Sequence, residues 1–546
     1  MKNIFFISIA LAWMGLAFTG CSGNSGKPLA INFEASKSVP GTKIAFTKFD
    51  KKFPTDWSGY RYLVFEMKCS TSQRVYVGVT TETGYNELRV IYYGVGEWIR
   101  TCIPLEYFDA LAAGANDLAA TYNHKRPLAY INLDRGTRRP LKGVDSLGFR
   151  MHCPVGGDQS IELRRVWLSV EDPGDAYLGV KPAVDQFGQW NLFRRYGGDS
   201  TVAKAEQKIV ERMDYWGMNT MGSWSGLRTN PRPYMTYSRA GGTTNIFGLV
   251  DIYVPGFKER VEESIKANVE RSKGNKMLIG YFIGNEPSFC NQENRLAELI
   301  MEANDTIPLK QAYLAYIGKH GGASSENNKA FAYVTFREYV GIICSATRKY
   351  DSNHLILGIR FGRGVPAKEV LSISKEYFDV YSFNDYGMNP MEENNVNYGT
   401  MTVEAPIASS ATRNIFDEIY KATGLPMIIG EYHFGTTDRG LGESLVRVNS
   451  QEERGIAFRN YSDKAFSHPA LIGLAWFQWN DQELFGRGDG ENYNIGLVDI
   501  TDRPYPHMVE AIRAVARDCY EIHRGTRPPY FKQLYRYGGE FPDVWQ

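Results

Sequence analysis

"KMLIGYFIGNEPSF", residues 276–289, is an apolar run that halts at Asn285, Glu286 and Pro287. Near-continuous apolar sequence marks a strand buried on both faces, as in a parallel sheet covered by helices. Proline has no N–H to give to a strand ladder, so pairing must end there. The same grammar recurs in "PMIIGEYHFG" (426–435), where the run ends on Glu431, followed by Tyr432 and His433. Around these two segments, helical and strand patterns alternate. "TVAKAEQKIVERMDYWG" (201–217) and "GFKERVEESIKANVERSKG" (256–274) have apolar residues at helical spacing. Further helices are expected near 329–349, 367–376, 413–422 and 451–466, with a last one in "HMVEAIRAVARDCYEIH" (507–523). Strands are expected in "HLILGIRFG" (354–362), "FDVYSFNDY" (378–386) and "LIGLAWFQWN" (471–480). Strand–helix alternation over residues 176–546 predicts an α/β domain, a (β/α)8 TIM barrel.

Residues 31–175 have a different texture. "RYLVFEMKC", "RVYVGVTTE", "LRVIYYGV", "SLGFRMHC" and "SIELRRVWLSV" are β-branched and aromatic runs separated by turn residues, with no amphipathic helices between them. That pattern predicts an all-β jelly roll or sandwich. Two roles stay open for it, a carbohydrate-binding-like domain and a module that only packs on its neighbour. Ahead of it, "MKNIFFISIALAWMGLAFTGCS" has a lysine, an apolar run of signal-peptide length and a lipobox-like "FTGC". Residues 1–21 are therefore expected to be a lipoprotein signal peptide with Cys21 acylated, and 22–30 a tether. The expected location is exported and lipid-anchored to a bacterial membrane, the outer membrane, on its periplasmic or surface face. No later run is long and apolar enough to span a bilayer, so the lipid is the only expected membrane contact.

With 62 Lys and Arg against 61 Asp and Glu, the net charge of +1 gives no electrostatic case for a nucleic-acid partner. The 34 Tyr, 29 Phe and 10 Trp supply either core or flat faces for sugar rings. The seven cysteines show no CxxC or Cys/His metal spacing, and buried free thiols are expected.

Barrel proteins place their chemistry at the C-terminal ends of strands, where side chains share one cleft. Glu286 and Glu431 stand at two such ends and can face each other. A carboxyl there is partly desolvated, which raises its pKa toward that of a general acid. Glycosidic bond cleavage by double displacement needs such a pair, about 5–5.5 Å apart. One acid protonates the leaving oxygen and one carboxylate attacks the anomeric carbon. No step calls for a metal or an organic cofactor. Asn285, Arg360, Asn384 and Tyr386 occupy strand ends and point to the same cleft. His433 either orients the nucleophile, bonds a sugar hydroxyl or is structural. Trp224, Trp476 and Trp479 are stacking faces or core. Asp489, Glu491 and Asn492, in "NDQELFGRGDGENYNIG" (480–496), contact substrate or brace their loop, and Glu483 is a further rival carboxylate.

These residues also carry a resemblance. "VDQFGQ" (184–189), "WGMNTMGSWS" (216–225), "IGYFIGNEPSF" (279–289), "HLILGIRF" (354–361), "DVYSFNDY" (379–386), "IIGEYHFGTTDRG" (428–440) and "DGENYNIGLVDITDRPYP" (489–506) occur in order. Together they resemble glycoside hydrolase family 50, the β-agarases, within clan A of retaining enzymes. The resemblance implies Glu286 as acid/base, Glu431 as nucleophile and a β-galactan polysaccharide or oligosaccharide such as agarose as substrate. The alternatives are another clan A β-glycosidase (a β-galactosidase or galactanase) and a non-catalytic glycan-binding lipoprotein. One departure is that "WNLFRRYGGDSTVAKA" (190–205) runs almost directly into the first barrel helix. The first barrel strand is then expected around 183–193, or irregular.

Overall fold

The computed structural model describes residues 27–33, 42–70, 74–92, 96–108, 123–137, 139–151, 159–179, 187–197, 201–225, 232–240, 243–391, 414–436, 438–439, 441, 444–483 and 491–534. Cys21 and Asp489 lie outside them, as does the first half of "VDQFGQ".

The described residues of the N-terminal part form eleven strands: β1 (Leu29–Phe33), β2 (Thr42–Ala45), β3 (Tyr62–Cys69), β4 (Arg74–Thr81), β5 (Gly84–Tyr92), β6 (Ile99–Pro104), β7 (Asn123–Lys125), β8 (Ala129–Thr137), β9 (Ser146–Met151), β10 (Gln159–Ser169) and β11 (Ala176–Tyr177). They form two antiparallel sheets, ordered β1-β10-β3-β6-β11 and β2-β9-β4-β5-β8-β7. Alternating residues of both sheets meet in one apolar cluster that includes Leu63, Phe65, Val77, Leu147 and Ile161. Phe65 of one sheet meets Phe149 of the other edge-on, with ring centroids 5.9 Å apart. The last of these strands runs to Tyr177, two residues past the expected boundary.

Beyond it, β12 (Tyr234–Tyr237), β15 (Leu278–Asn285), β16 (Leu355–Phe361), β17 (Tyr381–Asn384), β18 (Met427–Tyr432) and β19 (Leu471–Trp476) form a six-stranded parallel sheet in that order, while β13 (Asn245–Ile246) and β14 (Leu249–Val250) make a small hairpin. Its two faces show why these runs are apolar throughout. Tyr281, Ile283, Ile356, Ile359, Phe383 and Ile429 pack outward against helices that include Phe257–Glu270, Ser325–Tyr350 and Gln451–Phe466. Met235, Phe282, Leu357, Val380 and Ile428 instead form a separate inner cluster. Side chains from five successive strand segments can converge on one inner point only if the sheet is curled, as in the wall of a barrel.

The described part of that wall is a curled half-barrel, not a closed ring of eight strands. A single parallel bridge from Met221 to Tyr234 extends it at the β12 edge. The first strand, expected around 183–193 or irregular, is not formed by the described residues 187–193, because Phe187–Tyr196 is a helix. Glu483 accepts the backbone N–H of Gly188 at 2.8 Å, and Asn191 donates to the Ile500 carbonyl at 2.9 Å. Both bonds seat this helix on the segments that follow β19, in place of a ladder. Helices Glu293–Glu302 and Pro308–Lys319, unforeseen in the sequence, fill the connection between β15 and helix Ser325–Tyr350. Cys69, Cys102, Cys290, Cys344 and Cys519 are free thiols, and burial pushes Cys69 up to about 12. No described helix is long and apolar enough to cross a membrane.

Candidate active site

Strand register assembles the site. Asn285 of β15 stands opposite Arg360 of β16, and Asn384 of β17 stands opposite Glu431 of β18. The register shifts just before both pairs, between Phe282 and Gly284 and between Phe383 and Asn384. Such irregularities re-aim side chains at sheet ends. Arg360 itself stands opposite Ser382, so the row these four form at the C-terminal edge of the sheet is stepped by two residues between β16 and β17.

Glu431 is buried, 6% exposed, and among the described residues its oxygens are met by donors. Trp224 Nε1 donates to Oε1 at 2.5 Å, Arg360 Nη1 pairs with the same oxygen at 2.8 Å, and the Tyr386 hydroxyl donates to Oε2. A carboxylate only accepts, so its two oxygens can satisfy all three donors at once. Arg360 is itself fully buried, with its guanidinium 4.8 Å from the Trp224 ring centroid and 5.4 Å from that of Phe282. Gly430 makes room for it, since a Cβ there would collide with the Arg360 side chain. Burial, with the negative charges of Glu431 and Glu286 beside it, raises Tyr386 well above the usual phenol range, so it stays a donor.

Glu286 sits in the opposite kind of setting. It lies one residue past β15 with a left-handed φ of 43°. Its N–H is held by the Arg360 carbonyl at 2.8 Å, which fixes this uncommon conformation for a non-glycine residue. Such outliers concentrate at functional sites. The side chain is exposed to the cleft, yet the protein around it strips enough water to raise its pKa above the ordinary carboxylate range. The charge on Glu431 pushes the same way. Its oxygens meet amides: Asn384 Nδ2 donates to Oε1 at 2.7 Å, and Asn285 Nδ2 lies 3.5 Å from Oε2. Asn384 also reaches the Asn285 carbonyl oxygen at 3.3 Å, so the row is cross-linked.

The other expected site residues divide. Trp224 is 49% exposed above Glu431. Glu491, half-buried, accepts from Gln482 at 2.8 Å and lies near enough to raise Glu286 further. Asn492 is buried. His433 is buried with both ring nitrogens engaged, Nδ1 with the Phe477 carbonyl at 3.0 Å and Nε2 with the Leu445 N–H at 3.3 Å. Its ring lies 4.7 Å from that of Tyr386. Trp476 packs among Tyr432, Phe434 and Phe458 and donates to the Ile495 carbonyl at 2.9 Å. Trp479 stacks on Trp216 at 5.2 Å. These two indoles face protein.

Two groups near the carboxylates escaped the sequence reading. Tyr237, at the end of β12, lies against Trp224 with ring centroids 4.9 Å apart. Arg363 pairs with the fully buried Asp385. The signal for both was position just at or beyond a strand end. Among the described residues no three His, Cys, Asp or Glu side chains are grouped to hold a metal.

No family model matches the chain. Among characterised proteins, it is 28% identical over 395 residues to β-agarase B of Vibrio sp. (strain JT0107), covering 63% of this chain and 39% of that one. β-Agarase A of the same strain is 27% identical over 382 residues, covering 58% of this chain and 36% of that one. In three dimensions an exo-β-agarase superposes with a TM-score of 0.53 at 18% identity, over 93% of this chain and 96% of its own. PfGH50B gives 0.52 at 18% identity, over 91% and 99%. The chain resembles the family 50 β-agarases in sequence and in fold. The chain spans less than half the length of the two Vibrio β-agarases, whereas the superposed structures match it nearly end to end.

Proposed function

We propose that this protein is a retaining glycoside hydrolase that cleaves β-galactosidic linkages of agarose or agaro-oligosaccharides. The observation that carries the reading is the asymmetry between two neighbouring carboxyls. Glu431 is surrounded by donors, whereas Glu286 is pushed toward its protonated form. A carboxyl pushed toward its protonated form is the one suited to give a proton. Glu286 gives its proton to the glycosidic oxygen as the Glu431 carboxylate attacks the anomeric carbon. The C–O bond breaks, the sugar is held as an ester on Glu431, and Glu286, now a carboxylate, takes a proton from the water that releases it. Asn285, exposed at the cleft, is placed to bond the hydroxyl next to the anomeric carbon. The substrate class is drawn from the two Vibrio β-agarases. Acylation of Cys21 and export belong to the same proposal, and labelling of cells with a palmitate analogue tests them.

The test is azide rescue on an activated β-galactoside. Glu431→Gly loses hydrolysis and gives the α-glycosyl azide, because azide enters from the vacated side. Glu286→Ala still forms the ester from a good leaving group and gives the β-glycosyl azide. Wild-type turnover by Glu431→Gly, or the same anomer from both variants, overturns the assignment.

A further inference from the structure

The alternation of β12 carries a basic residue into the mouth of the half-barrel. Side chains two apart on a strand share a face. Met235 belongs to the inner cluster and Tyr237 packs against it. On the other face Ser238 is buried, bonded to Thr347 of helix Ser325–Tyr350 at 2.8 Å. Arg239, just past the strand end, continues the inward row, and its guanidinium lies over the Tyr237 ring at 3.8 Å and 4.9 Å from the Trp224 ring centroid. Trp224 is the residue whose indole donates to Glu431. One aromatic layer therefore separates Arg239 from that carboxylate.

Unlike Arg360, which pairs with Glu431, or Arg363, which pairs with Asp385, Arg239 is exposed and has no carboxylate within ion-pair distance among the described residues. A guanidinium carries five N–H donors, so even with one turned to the Tyr237 hydroxyl it keeps others for a ligand, and that fork matches the oxygens of sulfate or carboxylate. Nothing in neutral agarose calls for it. We propose that Arg239 is a specificity-determining residue that binds a sulfate ester or carboxylate on a sugar unit bound beside Glu431. This rests on the glycan-cleft reading above and extends its substrate class to agar-type galactans that also carry anionic substituents.

The test compares wild type, Arg239→Gln and Arg239→Lys on three galactan oligosaccharides of equal length. One is neutral, one carries a galactose 6-sulfate, and one carries a galacturonate. The quantity read is the anionic-to-neutral ratio of kcat/KM. It is expected to fall about tenfold or more in Arg239→Gln, as for loss of a charged hydrogen bond, and less in Arg239→Lys. The arm that responds identifies the anion. An unchanged ratio, including equal losses on neutral and anionic sugars, overturns the proposal and leaves Arg239 as a brace for Trp224. Calorimetric titration of the same oligosaccharides into Glu286→Gln, with and without Arg239→Gln, reads the ratio of affinities without turnover. Failure of the hydrolase assignment thus stays separate from failure of this one.

Discussion

At the end of β15 the last backbone bond to β16 is made by the N–H of Glu286 itself, which turns through a left-handed φ and offers the carboxyl to the cleft. At the end of β18, Glu431 is still inside the strand, paired with Asn384 and closed over by Trp224, Arg360 and Tyr386. The sequence writes both as an apolar run stopped by glutamate. The backbone turns one into an accessible acid and the other into a caged acceptor. A carboxyl lacking full hydration beside a negative charge favours the proton, as at Glu286. Backbone conformation at the strand end, more than the residue type, divides the proposed roles.

Replacing each acid sharpens this contrast most. Glu431→Gln should abolish turnover of natural and activated substrates alike, measured as release of reducing ends and of the aryl group. Glu286→Gln should lower cleavage of agaro-oligosaccharides by roughly 10²–10⁴-fold, the usual weight of a general acid. It should spare the first step on an aryl galactoside whose leaving group needs no proton, giving a burst. The cage can then be opened one donor at a time. Trp224→Phe and Tyr386→Phe should each cut kcat by about tenfold or more, since each removes a hydrogen bond to a charged group. Gly430→Ala forces Arg360 to move, and should cost about 1–3 kcal/mol in urea unfolding as an overpacked site. The smallest effect concerns stability against pH. Because Glu286 has a raised pKa when folded, the native state binds more protons than the unfolded chain between the two values, and stability falls as pH rises through that window. Glu286→Gln removes the loss, so its Tm should exceed that of wild type at neutral pH and converge with it in acid.

Much of this was legible in the chain. Buried strands show as apolar runs and helices as periodic ones, so β15, β16, β18 and helix Gln451–Phe466 fall where the pattern puts them. Both carboxylates could be found because an acid is costly at the end of such a run. What the pattern could not carry was register. That Asn384 serves Glu286 while standing opposite Glu431 depends on a one-residue shift between β17 and β18. Nor does sequence tell which face an indole takes: Trp224 opens to the cleft, whereas Trp476 is half-buried among aromatics. The segment expected to supply a first strand became a helix because its partners are the loops after β19.

Mechanism-based labelling probes the division of roles most directly. A 2-deoxy-2-fluoro agaro-oligosaccharide with an activated leaving group should inactivate the protein and leave one sugar ester, which peptide mass spectrometry should place on Glu431. An ester on Glu286 or Glu491, or hydrolysis with inversion and no ester at all, would contradict it.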